Sequence, residues 1–322
     1  MGIILSLKRR PLSAAKRKQI LVENLWGYAF VGGSVLLIMM LVFYPLGYSF
    51  NMSFQKWNPI MGGRYIGWDN FQNILTDKLF HTALWNNAQY ALFTIVGGFL
   101  LSFGAAVLVK SLPSQKFRNS LRFFYFIPSI CNTIMISLMW GYMMQDTNGA
   151  INAFLSAIGI SSRIGWLSDP VWAKVSLYWI VIWSNLGYWM VVFLTKLMDI
   201  PETYYEAARI DGADFFTSFR HITLPLSTPV IFLYLSMALI TCWGQFDISQ
   251  TLATTAAGGS AATGYMGPGN AFLLPTYSVY SSAFGDMNFG YAAAKGWVLI
   301  LIIVVLTIAN NSLSKLWVHY DE

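Results

Sequence analysis

Residues 199–225 read DIPETYYEAARIDGADFFTSFRHITLP, the longest polar interruption between apolar runs that still has the residue pattern of helices. Asp199 precedes Glu202 by three residues, and Pro201 lies between them. This is the capping-box pattern with a proline in the first turn, which is typical of a helix N-terminus. The stretch therefore predicts a structured loop with a helix near its start.

The same stretch predicts a second, shorter helix. Gly212 ends the first helix, since glycine favours the conformation that follows a helix C-terminus. Asp214 then caps the next helix, because its carboxylate can accept hydrogen bonds from free backbone N–H groups. That helix runs to about His221, and Pro225 bars its continuation. We expect a helix, a glycine turn and a helix.

The first predicted helix has one apolar face and one charged face. The apolar face comprises Ile200, Tyr204, Ala207 and Ala208, and the charged face comprises Glu202, Glu206 and Arg209. Two interpretations remain open at this point. The helix is either an amphipathic connector lying on lipid headgroups or a surface for a protein partner.

The composition predicts an all-α integral membrane protein. Hydrophobic residues make up 56% of the 322 residues and charged residues 11%, and the mean hydropathy is +0.53. About 20 apolar residues cross a bilayer as a helix. Six runs of this kind predict six transmembrane helices, near residues 26–47, 88–109, 123–144, 173–196, 226–247 and 292–313.

The distribution of Lys and Arg predicts the orientation, because cationic loops stay in the cytoplasm. Six cations lie in residues 1–25, and four follow the predicted second span. By contrast, residues 248–291 contain no Lys or Arg. We therefore expect a multi-pass protein of the cytoplasmic membrane with both termini and loop 199–225 in the cytoplasm. The pI near 9.2 then reflects topology, and no nucleic-acid partner is expected.

These boundaries predict three regions of the chain. Residues 1–25 form a basic cytoplasmic arm, residues 26–313 form the membrane domain, and residues 314–322 form a cytoplasmic tail. A secretory signal peptide is the alternative for the N-terminus. It is disfavoured because the apolar run continues to Tyr48 without a small-x-small cleavage site.

Motifs for catalysis are missing from the sequence. It contains no GxxxxGK[ST] phosphate loop, GxSxG elbow or HExxH motif, and its three histidines lack metal-ligand spacing. We expect no enzyme activity, no metal site and no cofactor on this chain. Energy for transport must then come from a partner or from an ion gradient.

An autonomous secondary transporter or channel is the rival class, and it needs ionisable groups within the membrane. The charged residues nearest to the spans are expected at span ends, where long side chains reach the interface. They are Lys174, Lys196, Asp247 and Lys295. A path lined by neutral polar groups suits an uncharged, hydroxyl-rich solute.

Asn185 and Gln245 are the preferred candidates for that path, because an amide both donates and accepts hydrogen bonds. They lie beside Gly187 and Gly244, which permit close approach of a helix or a ligand. Polar groups in spans also join helices or bond their own backbone, so this role stays open for every candidate. The others are Asn132, Thr133, Ser137, Ser184, Tyr188, Thr241 and Asp247, with Trp183 and Trp243 as possible stacking surfaces.

Loop 199–225 resembles a known motif. Glu206-Ala207-Ala208, then Asp211-Gly212-Ala213, then ITLP at 222–225 are similar to the EAA loop of membrane (permease) subunits of bacterial ABC importers, and the IDGA and ITLP wording resembles the carbohydrate (maltose/oligosaccharide) branch. In that family the loop docks into a cleft of the cytoplasmic ATPase subunit. The resemblance thus implies ATPase coupling for Glu206, Ala207, Ala208, Asp211, Gly212 and Ala213.

The resemblance also implies partners for this chain. They are a second permease subunit, in a heterodimer, two ATPase subunits that bind ATP and Mg²⁺, an extracytoplasmic solute-binding protein and the lipid bilayer. The chain departs from the family after Asp247, where a Gly/Ala/Thr-rich segment replaces a short Thr-Gly-Gly-Pro turn. We expect residues 248–291 to form an extended outside loop, which is either mobile, the favoured interpretation, or a docking surface.

Overall fold

The computed structural model describes residues 14–160, 163–258 and 265–318. The chain divides into two compact units, Met1–Met52 and Ser53–Glu322. In the first unit, α1 (Ala14–Ile38), a π-helical turn (Met39–Phe43) and α2 (Tyr44–Met52) follow one another without a break. The predicted arm (1–25), membrane domain (26–313) and tail (314–322) do not coincide with these units and stay predictions.

The second unit is helical apart from a short antiparallel hairpin, in which β1 (Gln55–Asn58) pairs with β2 (Gly62–Tyr65). Its remaining elements follow in chain order. They are α3 (Asp69–Thr76), α4 (Lys78–Ser111), α5 (Gln115–Ile130), α6 (Thr133–Met143), α7 (Ala150–Ala157), α8 (Pro170–Asp199), α9 (Glu202–Ile210), α10 (Phe215–Ser218), a π turn (Phe219–Thr223), α11 (Leu224–Leu226), α12 (Thr228–Trp243), α13 (Asp247–Ala256), a 3₁₀ turn (Pro268–Asn270), α14 (Pro275–Tyr280), a π turn (Ser281–Gly285) and α15 (Phe289–Ser314).

The framework of the second unit is the pair formed by α4 and α8, its two longest helices, which pack along each other. Each begins at an aspartate cap: Asp77 accepts from the Phe80 N–H, and Asp169 accepts from the N–H groups of Val171 and Trp172. Helix α5 also packs on α8. The pair therefore connects the apolar clusters of this unit.

The predicted number of six spans is neither confirmed nor excluded. Among the described residues, four helical stretches are long and apolar enough to cross a membrane, and the number rises to six if two bent pairs each count as one span. The first pair, α5 and α6, bends by 95°, and the second, α10–α11 with α12, bends by 63°. The first bend falls inside the predicted span 123–144, and the second falls at the start of the predicted span 226–247, so both spans stay predictions.

The first bend follows from local sequence. Pro128 lies inside α5, two residues before its end at Ile130, and it weakens the last turns because its ring nitrogen cannot donate to the carbonyl four residues earlier. Asn132 then starts α6, with its side-chain oxygen accepting from the Ile134 N–H at 2.9 Å. Asn132, a candidate for the solute path, is therefore committed to capping a helix.

Segment 248–291 is not an extended loop within its described part, so that expectation is wrong, whereas its mobility or docking role stays a prediction. It contains α13, α14 and two further helical turns, and α13 packs against α6. Phe272 and Leu273 are fully buried. The Gly/Ala/Thr-rich composition concealed a short apolar run, AFLL at 271–274, which anchors the segment in the core. Residues 259–264, at the centre of the predicted loop, lie outside the described ranges.

Lys295 lies near the start of α15 but is buried, so the expectation that its side chain reaches the interface is wrong. Only 3% of Lys295 is exposed, and its ammonium lies 2.9 Å from Oδ2 of Asp77. It also donates to the hydroxyls of Ser278 and Ser282, at 3.1 and 3.0 Å. A charge can remain buried when it is paired and hydrogen-bonded in this way.

Candidate functional site

Loop 199–225 has the predicted helix–turn–helix form in the structure. Helix α9 ends in a Schellman arrangement, in which Ala213 N–H donates to Ala208 O at 2.8 Å and Gly212 N–H donates to Arg209 O at 3.1 Å. Gly212 adopts a φ of +80°, which favours glycine. Asp214 caps α10 by accepting from the Thr217 N–H at 2.8 Å. The glycine stop and the second cap are therefore confirmed.

The predicted capping box at the loop's start is wrong. Helix α8 continues through Asp199, and the N-cap of α9 is Pro201, which has no side-chain oxygen to offer. The second helix also extends beyond its predicted end at His221. The π turn lets Leu224 N–H donate to Phe219 O, and α11 then passes through Pro225, so the proline is accommodated rather than excluded.

The inner face of the loop differs from the predicted apolar face. Ile200 and Tyr205 pack into the core, whereas Tyr204 and Ala207 are exposed. The Tyr205 hydroxyl lies 3.0 Å from the Thr223 hydroxyl and accepts from Lys110 at 3.3 Å. The hydroxyl of Tyr205 is thus hydrogen-bonded to residues of the second unit. Hydrophobicity alone could not distinguish Tyr205 from its exposed neighbour Tyr204.

The residues implied in ATPase coupling lie along the outer side of this loop. Glu206, Ala207, Asp211 and Gly212 are exposed, and Ala208 and Ala213 are half-buried. Large apolar side chains beside them are also exposed: Ile210 by 86%, Phe215 by 69% and Phe216 by 66%. Exposed apolar side chains grouped with polar ones are typical of an interaction surface.

A cavity of about 500 Å³ lies between α4, α5, α8 and α12, near the bend that separates α5 from α6. Both preferred candidates for the solute path, Asn185 and Gln245, line it, and so does Tyr188. Asp247, another candidate, is exposed in the first turn of α13 and does not line it. The structure thus brings together residues from α8 and the end of α12 that are about 60 positions apart in sequence.

The lining of this cavity is neutral. None of the described residues that line it is Asp, Glu, Lys, Arg or His. Its polar groups are hydroxyls, amides and thiols, from Tyr90, Thr94, Ser129, Cys131, Thr133, Ser184, Asn185, Tyr188, Tyr234, Thr241, Cys242 and Gln245. Thr133, Ser184 and Thr241 are among the wider set of candidates, whereas Ser137 is buried elsewhere and donates to Thr133 O at 2.7 Å.

The amide of Asn185 is oriented by its own helix. Its Nδ2 donates to Val181 O at 2.9 Å and to the Ser184 hydroxyl at 3.3 Å, and the residue is exposed. Gln245 is half-buried, and its backbone carbonyl accepts from the Thr276 hydroxyl. Both amides therefore stand on a backbone that neighbouring groups hold in place.

Ser129 of α5 is inserted into the backbone of α8 beside Asn185. Its hydroxyl donates to Ser184 O at 2.9 Å and accepts from the Tyr188 N–H at 3.1 Å, so it bridges two groups that an undisturbed helix would join directly. The close approach occurs at Gly187, where a Cβ would overlap the Tyr125 carbonyl. This prediction for Gly187 is confirmed, whereas Gly244 has only carbonyls of its own helix nearby.

The aromatic wall of the cavity was not identified from the sequence. Trp189 lines it and meets Tyr234 edge-on, with ring centroids 4.9 Å apart. The two tryptophans proposed for stacking do not line it. Trp243 is buried in the core, and Trp183 packs on Trp140 at 5.4 Å. The spacing of Trp189 one turn after Asn185 was the available signal, since residues four apart share a helix face.

Most of the chain matches a known protein family. Residues 98–318, which include the helix–turn–helix and most of the cavity lining, match the family described as "Binding-protein-dependent transport system inner membrane component". The chain belongs to this family. It is therefore an ABC transporter permease, a multi-pass membrane subunit.

Relatives of this permease match it over most of its length. It is 29% identical over 310 residues to the probable ABC transporter permease protein YesP of Bacillus subtilis (strain 168), which covers 95% of this chain and 96% of that one. It is 29% identical over 290 residues to the arabinooligosaccharides transport system permease protein AraP of the same organism, covering 89% and 88%.

A solved structure shows the same fold. The crystal structure of a bacterial alginate ABC transporter, in complex with an alginate pentasaccharide-bound periplasmic protein, contains a chain that matches this permease with a TM-score of 0.75 at 19% identity. The match covers 92% of this permease and 96% of that chain. The bent helices are thus part of a fold that a distant sequence also adopts.

Proposed function

We propose that this permease forms half of the translocation pore of an ATP-driven importer for an uncharged oligosaccharide. The observation that carries the proposal is the neutral cavity, in which Asn185, Tyr188 and Gln245 meet. AraP, a relative that aligns along most of the chain, is named for arabinooligosaccharides. An acidic sugar would need cations to balance its carboxylates, and the described lining supplies none.

The chemistry of the lining suits a sugar. Each sugar hydroxyl that loses water must find a partner, at a cost of roughly 1–3 kcal/mol if it finds none. The amides of Asn185 and Gln245 both donate and accept. Trp189 offers an apolar ring near them, against which the C–H face of a sugar can pack. Together these groups match the alternating polar edge and apolar face of a pyranose.

In this proposal the other components of the importer are separate chains. A second permease subunit completes the pore, two ATPase subunits bind ATP and Mg²⁺, and an external solute-binding protein delivers the sugar. The family description, which names dependence on a binding protein, supports the last of these. The exposed residues Ile210, Phe215 and Phe216, beside Glu206, support docking of an ATPase at the helix–turn–helix.

Coupling runs through α8 in this proposal. Closure of the ATPase pair moves the helix–turn–helix as a rigid body, and α8 ends at Asp199, only three positions before α9 begins at Glu202. Movement of the loop therefore reaches Asn185 along one uninterrupted helix. This requires the loop to be cytoplasmic, as the distribution of Lys and Arg predicts.

The buried Asp77–Lys295 pair does not support the rival proposal, an autonomous secondary transporter or channel. Neither residue lines the cavity, and the pair satisfies its charges with Tyr291, Ser278 and Ser282. A charge that carries ions would have to face the path. The pair is therefore better explained as a structural contact between helices.

Affinity purification of the tagged full-length permease from its own membranes tests the proposal. We expect an ATPase and a second permease to co-purify, and we expect reconstituted vesicles to accumulate a neutral oligosaccharide only when ATP and a solute-binding protein are supplied. Purification of the chain alone, together with uptake driven by an ion gradient without ATP, would favour the autonomous transporter instead.

A further inference from the structure

A second cavity, of about 610 Å³, lies on the inner side of the helix–turn–helix, apart from the solute path. It is enclosed by the end of α4, the start of α5, the end of α8, and α9 with α10. Its lining is rich in cations and hydroxyls. The polar members are Lys110, Ser111, Arg118, Glu202, Tyr205, Arg209, Asp214, Ser218 and Thr223.

Two arginines in or beside this cavity have buried N–H groups without a hydrogen-bond partner among the described residues. Arg118 uses one Nη to bond Gln115 Oε1 at 2.6 Å, but its Nε is buried and has no hydrogen-bond partner among the described residues. Arg122, one turn further along α5, likewise has a buried Nε without a partner, and its Nη2 rests on the Met198 sulfur at the cavity edge. Buried donors normally have partners, so these two point to a missing acceptor.

The two carboxylates in the lining do not supply that acceptor. Asp214 caps α10 through the Thr217 N–H, and hydrogen bonds from the Thr217 side chain and backbone lower the pKa of its carboxyl, which stays charged. Glu202 lies 3.9 Å from Arg209 in an exposed pair, which is a weak interaction. Lys110, Arg118 and Arg209 together outnumber these carboxylates, so the cavity is positive overall.

The cavity lies at the ends of apolar helices, where a helix that spans a bilayer meets the lipid headgroups. Lys110 is in the last turn of the apolar helix α4, and Arg118 is in the first turn of α5, which begins the next apolar pair. Basic pockets between membrane helices at this level are suited to anionic headgroups. Arginine, with its planar fork of donors, is the residue best matched to phosphate oxygens.

We propose that this cavity binds a phosphate group, with Arg118, Arg209 and Lys110 as its ligands. An anionic phospholipid headgroup and free phosphate present the same chemistry to these residues. Arg118 bridges α5 and the bound group, and Arg209 bridges α9 and the same group. An occupied site therefore fastens the helix–turn–helix to the ends of α4 and α5.

Binding of three soluble probes to the purified full-length permease tests this site. The probes are dihexanoyl phosphatidylglycerol, dihexanoyl phosphatidylcholine and inorganic phosphate. We expect the anionic lipid to bind more tightly than the zwitterionic one, and we expect Arg118→Gln to weaken its binding by about tenfold, as loss of a hydrogen bond to a charged group does. Arg64→Gln is the matched control, because Arg64 is exposed in β2.

The outcomes separate the two sources of phosphate. If inorganic phosphate binds in an Arg118-dependent manner and the lipid does not, the site is assigned to free phosphate, whereas Arg118-dependent binding of the lipid alone assigns it to a headgroup. Arg118→Lys keeps the charge and guards against a folding defect, so its binding should fall between wild type and Arg118→Gln. The proposal is overturned if no probe binds in an Arg118-dependent manner, or if Arg118→Gln and Arg209→Gln bind the probes like the wild type.

Discussion

The ammonium of Lys295 lies 2.9 Å from Oδ2 of Asp77, although these residues are more than 200 positions apart in the chain. The same carboxylate accepts from the Tyr291 hydroxyl at 2.8 Å and, through Oδ1, from the Phe80 N–H at 2.9 Å. The contact therefore joins the start of α4 to α15. Through Ser278 and Ser282, Lys295 extends it to α14 and the π turn that follows.

Removing one member of this pair should destabilise the permease strongly. Asp77→Asn leaves the buried Lys295 charge without its counter-ion, and we expect a loss of about 3–5 kcal/mol in the free energy of unfolding. Unfolding in mixed detergent micelles, followed by tryptophan fluorescence, measures it. Asp69→Asn is the control, because Asp69 is exposed in α3. The double variant Asp77→Asn/Lys295→Met should recover part of the loss; equal stability of Asp77→Asn and Asp69→Asn would contradict the structural role.

The same pair predicts a pH dependence. Burial alone raises the pKa of Asp77, but hydrogen bonds from Lys295, the Phe80 N–H and Tyr291 outweigh it, and the pKa lies below its ordinary value of 3.8. The contribution of Asp77 to stability is thus fully present above that value and is lost as pH falls through the lower pKa of the folded state. The stability gap between wild type and Asp77→Asn should narrow in acid; a gap that stays constant down to the acid limit would argue against it.

Two substitutions on the helix–turn–helix test ATPase coupling. Glu206→Lys reverses an exposed charge, and Gly212→Leu places a side chain where φ is +80°, at a cost of about 1–2 kcal/mol. We expect both to lower ATPase association and uptake by about tenfold or more, because the surface changes while the core does not. Gly212→Asn is the matched control, since asparagine tolerates this conformation. Normal assembly and uptake in Glu206→Lys and Gly212→Leu would exclude the assigned role.

Substitutions in the neutral cavity test the solute path. Asn185→Leu and Gln245→Leu each leave sugar hydroxyls without partners, and a cost of about 1–3 kcal/mol corresponds to a roughly 5- to 150-fold loss of transport efficiency. Association with the ATPase should not change. Asn311→Leu, at an exposed position near the end of α15, is the control. If both cavity variants transport at the wild-type rate, the solute is held by the partner permease.

Single cysteines test the orientation. In a background with Cys131 and Cys242 replaced by serine, a cysteine at Ser114 should react with an impermeant thiol reagent only after permeabilisation. A cysteine at Asp286, which is exposed in the segment without cations, should react in intact cells or spheroplasts. The opposite labelling pattern would invert the topology and place the helix–turn–helix on the outside.

The sequence predicts some parts of this molecule better than others, for physical reasons. Glycine stops and aspartate caps act within a few residues, so Gly212 and Asp214 were predictable from local sequence. It was also predictable that Asn185 and Gln245 line one cavity, because their helices flank the same loop. The Asp77–Lys295 pair and the buried run 271–274 were not, since they depend on contacts between distant segments. Trp189 was missed because a tryptophan in a span has several common roles.

The insertion of Ser129 into α8 has a mechanical consequence. From Tyr188, whose N–H donates to the serine hydroxyl, α8 continues to Asp199, a rigid arm of about 16 Å at 1.5 Å per residue. If Ser129 acts as the fulcrum of this arm, a tilt of about 8° displaces its far end by about 2 Å. A single hydroxyl would then set the point about which one continuous helix tilts when the loop moves.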